Sequence, residues 1–128
     1  MTATAHALVA GAIAAKFTDP VTAVTLAIGS HYLMDCIPHW DFGTNWRDRA
    51  KEITGALAIA DTLTAFTVTY FLYAGKVEIG LLALVVGASL LPDWIETPWY
   101  MFFANAKKKE PSARASVWEK LTHQAYKI

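Results

Sequence analysis

A single cysteine in 128 residues excludes an internal disulfide framework and leaves the redox compartment undecided. That residue, Cys36, reads as a small packing residue at a helix end, with metal ligation as the minor alternative. Charge is almost as scarce. Only 17% of residues are charged, and 11 Lys and Arg balance 11 Asp and Glu, so net charge supplies no pull toward nucleic acid and no nucleic-acid role is expected. No basic stretch precedes the first apolar run, so a cleaved secretory signal is not expected and the first helix should stay in the mature protein. The chain also lacks an internal repeat and any low-complexity tract.

Apolar residues are what it has in abundance: 55% of the chain, with a mean hydropathy of +0.31, in a length that suits one domain. Apolar segments at residues 4–17, 21–37, 53–74 and 77–103 predict four helices. At ~1.5 Å per residue the last two can cross a hydrocarbon core of about 30 Å, whereas the first two fall short. Thr18-Asp19-Pro20 stops one helix and starts the next, with Pro20 where its missing N–H costs little, and the tight connection makes the two antiparallel neighbours. Small residues such as Ala10-Gly11-Ala12 and Gly55-Ala56 let backbones approach closely.

The expected fold is therefore all-α: a four-helix membrane-embedded bundle over residues 1–105, followed by a polar, partly helical tail over residues 106–128. Within the tail, Lys107-Lys108-Lys109-Glu110-Pro111 is a basic linker, and Val117, Trp118, Leu121 and Ala125 form one stripe of a short amphipathic helix. An anionic membrane surface and the bundle itself are both open as its resting place. Arg47, Arg49 and Lys51 precede the third helix, and the remaining basic residues, apart from Lys16 and Lys76, follow the fourth. The positive-inside rule then puts both termini and the middle loop in the cytoplasm. Trp40, Phe42, Trp46, Trp94, Trp99 and Tyr100 make an aromatic belt near that face.

The polar residues that interrupt this apolar background are few, and they are of one kind. His31-Tyr-Leu-Met-Asp35-Cys-Ile-Pro38-His39-Trp-Asp41 holds four potential ligands at the end of the second apolar segment. His31 and Asp35, four apart, share a helix face, and Pro38 breaks the helix so that His39 and Asp41 fall on the turn beyond. His6 lies near the start of the first helix, Asp61 within the third, and Asp93 toward the end of the fourth, in Leu90-Leu91-Pro92-Asp93-Trp94-Ile95-Glu96. All seven are expected in the same half of the bundle.

Taken singly, several have plain structural explanations. His6 suits a wet helix start, Asp41 a turn before Phe42-Gly43, and Asp93 a cap toward Glu96. Asp61 is hardest to explain away, because a carboxylate among Ala58-Ile59-Ala60 and Thr62-Leu63 needs a partner or a proton. Jointly, His6, His31, Asp35, His39, Asp41, Asp61 and Asp93 make a metal-ligand set, and its nitrogen–oxygen mixture suits zinc, manganese or iron better than calcium. Seven candidates leave room for one to three ions, or for ligands plus a catalytic base.

With His6-Ala7, His31-x3-Asp35-x2-Pro38-His39-x-Asp41, Asp61 and Leu91-Pro92-Asp93 on the page, the chain resembles small bacterial integral-membrane proteins of the membrane-bound metal-dependent hydrolase type, over about residues 5–97. The His31 to His39 run is also similar to one in the zinc-dependent phospholipase C family, a helical fold that gathers His and Asp around a zinc cluster. The chain departs from the first group in carrying Glu96 where a second Asp is frequent, and only His123 where a histidine-rich carboxyl-terminal segment is frequent.

The resemblance implies a metal-activated water attacking an ester or phosphoester, with a lipid-like or other small-molecule substrate at the cytoplasmic interface. Asp41 and Glu96 are the candidates for general base or for orienting the ligands. The alternative is a non-enzymatic membrane protein whose cluster binds a structural metal or carries ions or protons.

Overall fold

The computed structural model describes residues 1–40, 46–104 and 110–127. It contains α1 (Ala3–Lys16), α2 (Pro20–Asp35), α3 (Lys51–Tyr73), α4 (Ile79–Pro98) and α5 (Val117–Tyr126), and no β-strand among the described residues. A 3₁₀ turn (Trp46–Asp48) precedes α3, and a π-helical turn (Trp99–Phe103) extends α4. The all-helical expectation stands, and the first four helices follow the four apolar segments closely.

Capping chemistry sets several of the boundaries. Asp19 accepts from the Thr22 N–H at 2.8 Å and Pro20 fills the first position of α2, which satisfies a helix start that would otherwise expose unpaired donors. Glu78 does the same for α4, accepting from Gly80 at 2.8 Å and Leu81 at 2.7 Å. Between α3 and α4 the chain reverses at Gly75, whose φ of 79° lies in the left-handed region that a side chain disfavours. Ser116 caps α5 through the Glu119 N–H, the start of a Ser-x-x-Glu pattern.

Helices α1 and α4 form the centre, with α2 and α3 on either side of them and α5 laid over the end of α4. The core is a seam of alanine and branched aliphatic residues at helical spacing: Ala7, Ala10 and Ala14 on α1, Ala23 and Ala27 on α2, Leu82, Val85, Val86 and Leu90 on α4. Gly11 extends that seam toward α3, where a Cβ would stand 2.5 Å from the Tyr73 ring. Only a glycine admits this approach.

Among the described residues, membrane-crossing length is confined to two helices, not four. Lys51–Tyr73 and Ile79–Phe103, of 23 and 25 residues, are long and apolar enough to cross a membrane, while α1 and α2 have 14 and 16 residues. Only 11% and 28% of the most apolar windows of the two long helices are buried. Large apolar side chains point outward instead, among them Leu63, Phe71, Leu84 and Leu91, each at least half exposed.

Candidate metal centre

The core seam becomes polar at one end. On α2 the inward positions run Ala23, Ala27, His31, Asp35; on α4 they run Val86, Ser89, Asp93; on α1, His6 sits beside Ala7. Each polar residue continues a buried apolar stripe by one helical step, which is why they meet. His6 and His31 are buried, at 0% and 2% exposure, and their rings stack with centroids 4.1 Å apart.

Asp35 is the hub. Its Oδ1 lies 3.2 Å from His6 Nε2 and 3.7 Å from His39 Nε2, its Oδ2 lies 3.1 Å from His31 Nε2, and the Met1 ammonium donates to Oδ1 at 2.6 Å. Asp93 reaches the same ring from the other side, with Oδ1 3.6 Å from His31 Nε2. One ligand atom from each of His6, His31 and Asp93 falls within 4.8 Å of the others, a spacing that fits a shared ion. Neither ring nitrogen of His6 makes a hydrogen bond, although both are buried; the Asp35 contact is close but lacks hydrogen-bond geometry. A buried imidazole in that state needs a further partner.

The turn after α2 orients His39. A residue before proline is steered out of the helical region, so α2 ends ahead of Pro38 and the chain folds back toward Asp35. His39 Nδ1 stands 2.6 Å from the Ile37 carbonyl, which can only accept, so Nδ1 carries the proton. Nε2 of the same ring lies 3.7 Å from Asp35 Oδ1, which adds His39 to the groups gathered around that carboxylate.

His31, Asp35, His39 and Asp93 line a cleft of about 480 Å³ together with Met1, Tyr32, Cys36, Pro92, Ile95, Glu96 and Ala125, and His6 lies buried behind it. No lysine or arginine lines it among the described residues. Of the residues singled out in the sequence, His6, His31, Asp35, His39 and Asp93 are brought together, and Glu96 shares their cleft. Asp41 lies outside the described residues.

Asp61 is placed elsewhere, and its environment supplies the partner that its apolar surroundings demand. Oδ2 accepts from the Ala3 N–H at 2.7 Å, and Oδ1 accepts from the Thr4 N–H at 3.3 Å and the Thr4 hydroxyl at 2.8 Å. The carboxylate thus caps the exposed donors of the first turn of α1, where the helix dipole favours negative charge. His123 is also apart from the cluster, buried beneath α5 with its ring 4.3 Å from that of Trp99.

Three participants were not anticipated. The Met1 ammonium carries no side-chain signal. Ser89, fully buried, donates to the His6 carbonyl at 3.4 Å, and its position four residues before Asp93 on the α4 stripe was a readable sign. Ala125 of α5 forms part of the cleft wall, which no local pattern reveals.

Comparison with family models, curated proteins and solved structures returns no match to this chain.

Proposed function

We propose that the chain is an integral membrane protein that binds a divalent metal through His6, His31 and Asp93, with Asp35 and His39 completing or orienting the set, and that it hydrolyses an ester or phosphoester at the cytoplasmic membrane interface. One observation carries this reading: His6 of α1, His31 of α2 and Asp93 of α4 converge so that one ligand atom from each lies within 4.8 Å of the others, with Asp35 in contact with both rings. The mixed nitrogen and oxygen donors favour zinc, with manganese or iron as the other candidates. The spread of donors from His6 to His39 leaves room for more than one ion.

A bound divalent ion would supply Lewis acidity, lowering the pKa of a coordinated water to about 7. The chain's own residues do the rest. Asp35, with Oδ1 3.2 Å from His6 Nε2 and Oδ2 3.1 Å from His31 Nε2, is the carboxylate placed to share an ion with both rings. Glu96, on the same cleft wall as Asp93, is the residue to accept a proton from water. The outward apolar faces of α3 and α4 support residence in a bilayer, which brings the cleft to a depth where a lipid-like ester can reach it.

The test is purification in detergent followed by elemental analysis and an ester and phosphoester panel. The reading expects bound metal and turnover in the wild type, and metal without turnover in Glu96→Gln. Wild-type protein without metal would remove the basis of the proposal, and metal with no turnover on any substrate would reduce it to a structural or transport site.

A further inference from the structure

Helix α5 is amphipathic in the reverse sense to a packed surface helix. Glu119, Thr122 and His123 face the bundle at 7%, 1% and 8% exposure, whereas Val117, Trp118 and Leu121 point away from it at 80%, 69% and 49%. A helix that gained its place by burying its own apolar stripe would be turned the other way. What joins it to the bundle is the Trp99–His123 ring contact, while the buried Thr122 hydroxyl is satisfied within α5 by donating to the Trp118 carbonyl at 2.9 Å. The stripe therefore remains available to something outside the chain.

The surroundings say what that is. At ~100° per residue, Lys120, Lys127 and Gln124 border one edge of the outward stripe, so apolar and cationic side chains share a single face. The contacts of the two lysines, Lys120 Nζ to the Ala113 carbonyl at 3.2 Å and Lys127 Nζ to Glu110 at 3.4 Å, are surface contacts of small worth that can be exchanged. Arg114, exposed just ahead of the helix, adds to the same charge.

The helix is packed on α4, which with the turn after it forms one of the two helices of membrane-crossing length and exposes Trp94, Ile95 and Phe102. An antiparallel two-fold contact between two copies of α5 would set lysines against lysines. An anionic headgroup layer meets both halves of the face.

We infer that α5 docks on an anionic membrane surface, with Val117, Trp118 and Leu121 at the headgroup boundary and Lys120 and Lys127 toward the phosphates. The inference rests on the membrane part of the proposed function and not on the metal. Because Ala125 on the same helix lines the metal-ligand cleft, docking would hold that cleft against the lipid surface.

The test uses the full chain with Cys36→Ala and a nitroxide attached at Val117→Cys, in nanodiscs of phosphatidylcholine with or without phosphatidylglycerol. In anionic discs the label should show an oxygen-to-aqueous-nickel accessibility ratio at least about fivefold above that of the same label at Ser112→Cys, as an interfacial helix requires. The ratio should fall in neutral discs, and in anionic discs on adding Lys120→Gln and Lys127→Gln.

A Val117→Cys label as open to nickel as the Ser112→Cys label in anionic discs overturns the inference. Spin–spin broadening between labels overturns it in favour of a second copy. A chain that does not enter discs overturns the membrane reading as well, while the metal content of the same sample reports separately on the metal site.

Discussion

Asp35 Oδ2 stands 3.1 Å from His31 Nε2, one helical turn away on α2, and Oδ1 of the same carboxylate contacts His6 Nε2 on α1 at 3.2 Å. One carboxylate thus joins two buried imidazoles from different helices. Replacing it isosterically tests whether it orients the metal ligands. Asp35→Asn should weaken zinc binding roughly 10–100-fold, the usual effect of losing a carboxylate behind ligand histidines. Competition with a chelating dye reads this, and an unchanged affinity would remove Asp35 from the site.

Asp61 is predicted to matter for stability and not for metal. Its contacts to Ala3 and Thr4 cap α1, so Asp61→Asn should lower stability by about 1 kcal/mol, within the range for losing a helix cap, and leave metal content unchanged. Thermal unfolding in detergent alongside elemental analysis checks both halves. Loss of metal without loss of stability would return Asp61 to the ligand set.

Most of the fold was legible in the sequence because its signals are local: apolar runs long enough to count, the Asp19-Pro20 restart, and Gly11 and Ala10 where helices meet. His31, Asp35 and His39 were legible as one motif because a four-residue spacing and Pro38 fix their relation without any tertiary information. His6 and Asp93 followed from depth along their helices. Asp61 shows where that reasoning ends, since its level in the bundle is right but its azimuth turns it toward the first turn of α1. The orientation of α5 was not legible either. Val117, Trp118 and Leu121 of its stripe are exposed while Ala125 meets the cleft, and pattern alone gives no means of telling which face such a helix buries.

The seam at Gly11 should be intolerant of bulk. Gly11→Ala places a Cβ 2.5 Å from Tyr73 Cε2 and 2.8 Å from Thr69 Cγ2, so the ring must shift, and with it the Tyr73 hydroxyl contact to the Leu8 carbonyl. A loss of about 1–3 kcal/mol is expected, as for other overpacked interiors. Gly29, where a Cβ meets nothing within 4 Å, is the control that should tolerate alanine.

Acid sensitivity should come in part from the end of the bundle far from the cleft. Hydrogen bonds from the Gly80 and then the Leu81 N–H hold the Glu78 carboxyl below its ordinary value of 4.5. A depressed folded-state pKa contributes stability that is complete above 4.5 and is lost as pH falls through the lowered value. Glu78→Gln should therefore reduce the fall in unfolding temperature below pH 4.5 relative to wild type. Parallel curves for the two proteins would contradict this.

The central claim is that the His6, His31 and Asp93 cluster holds a metal ion, and elemental analysis of detergent-purified protein tests it most directly. The account predicts stoichiometric metal in wild type and in Asp61→Asn, and its loss in His31→Ala with the fold retained. Metal in His31→Ala equal to that in wild type, or none in any of the three, would contradict it.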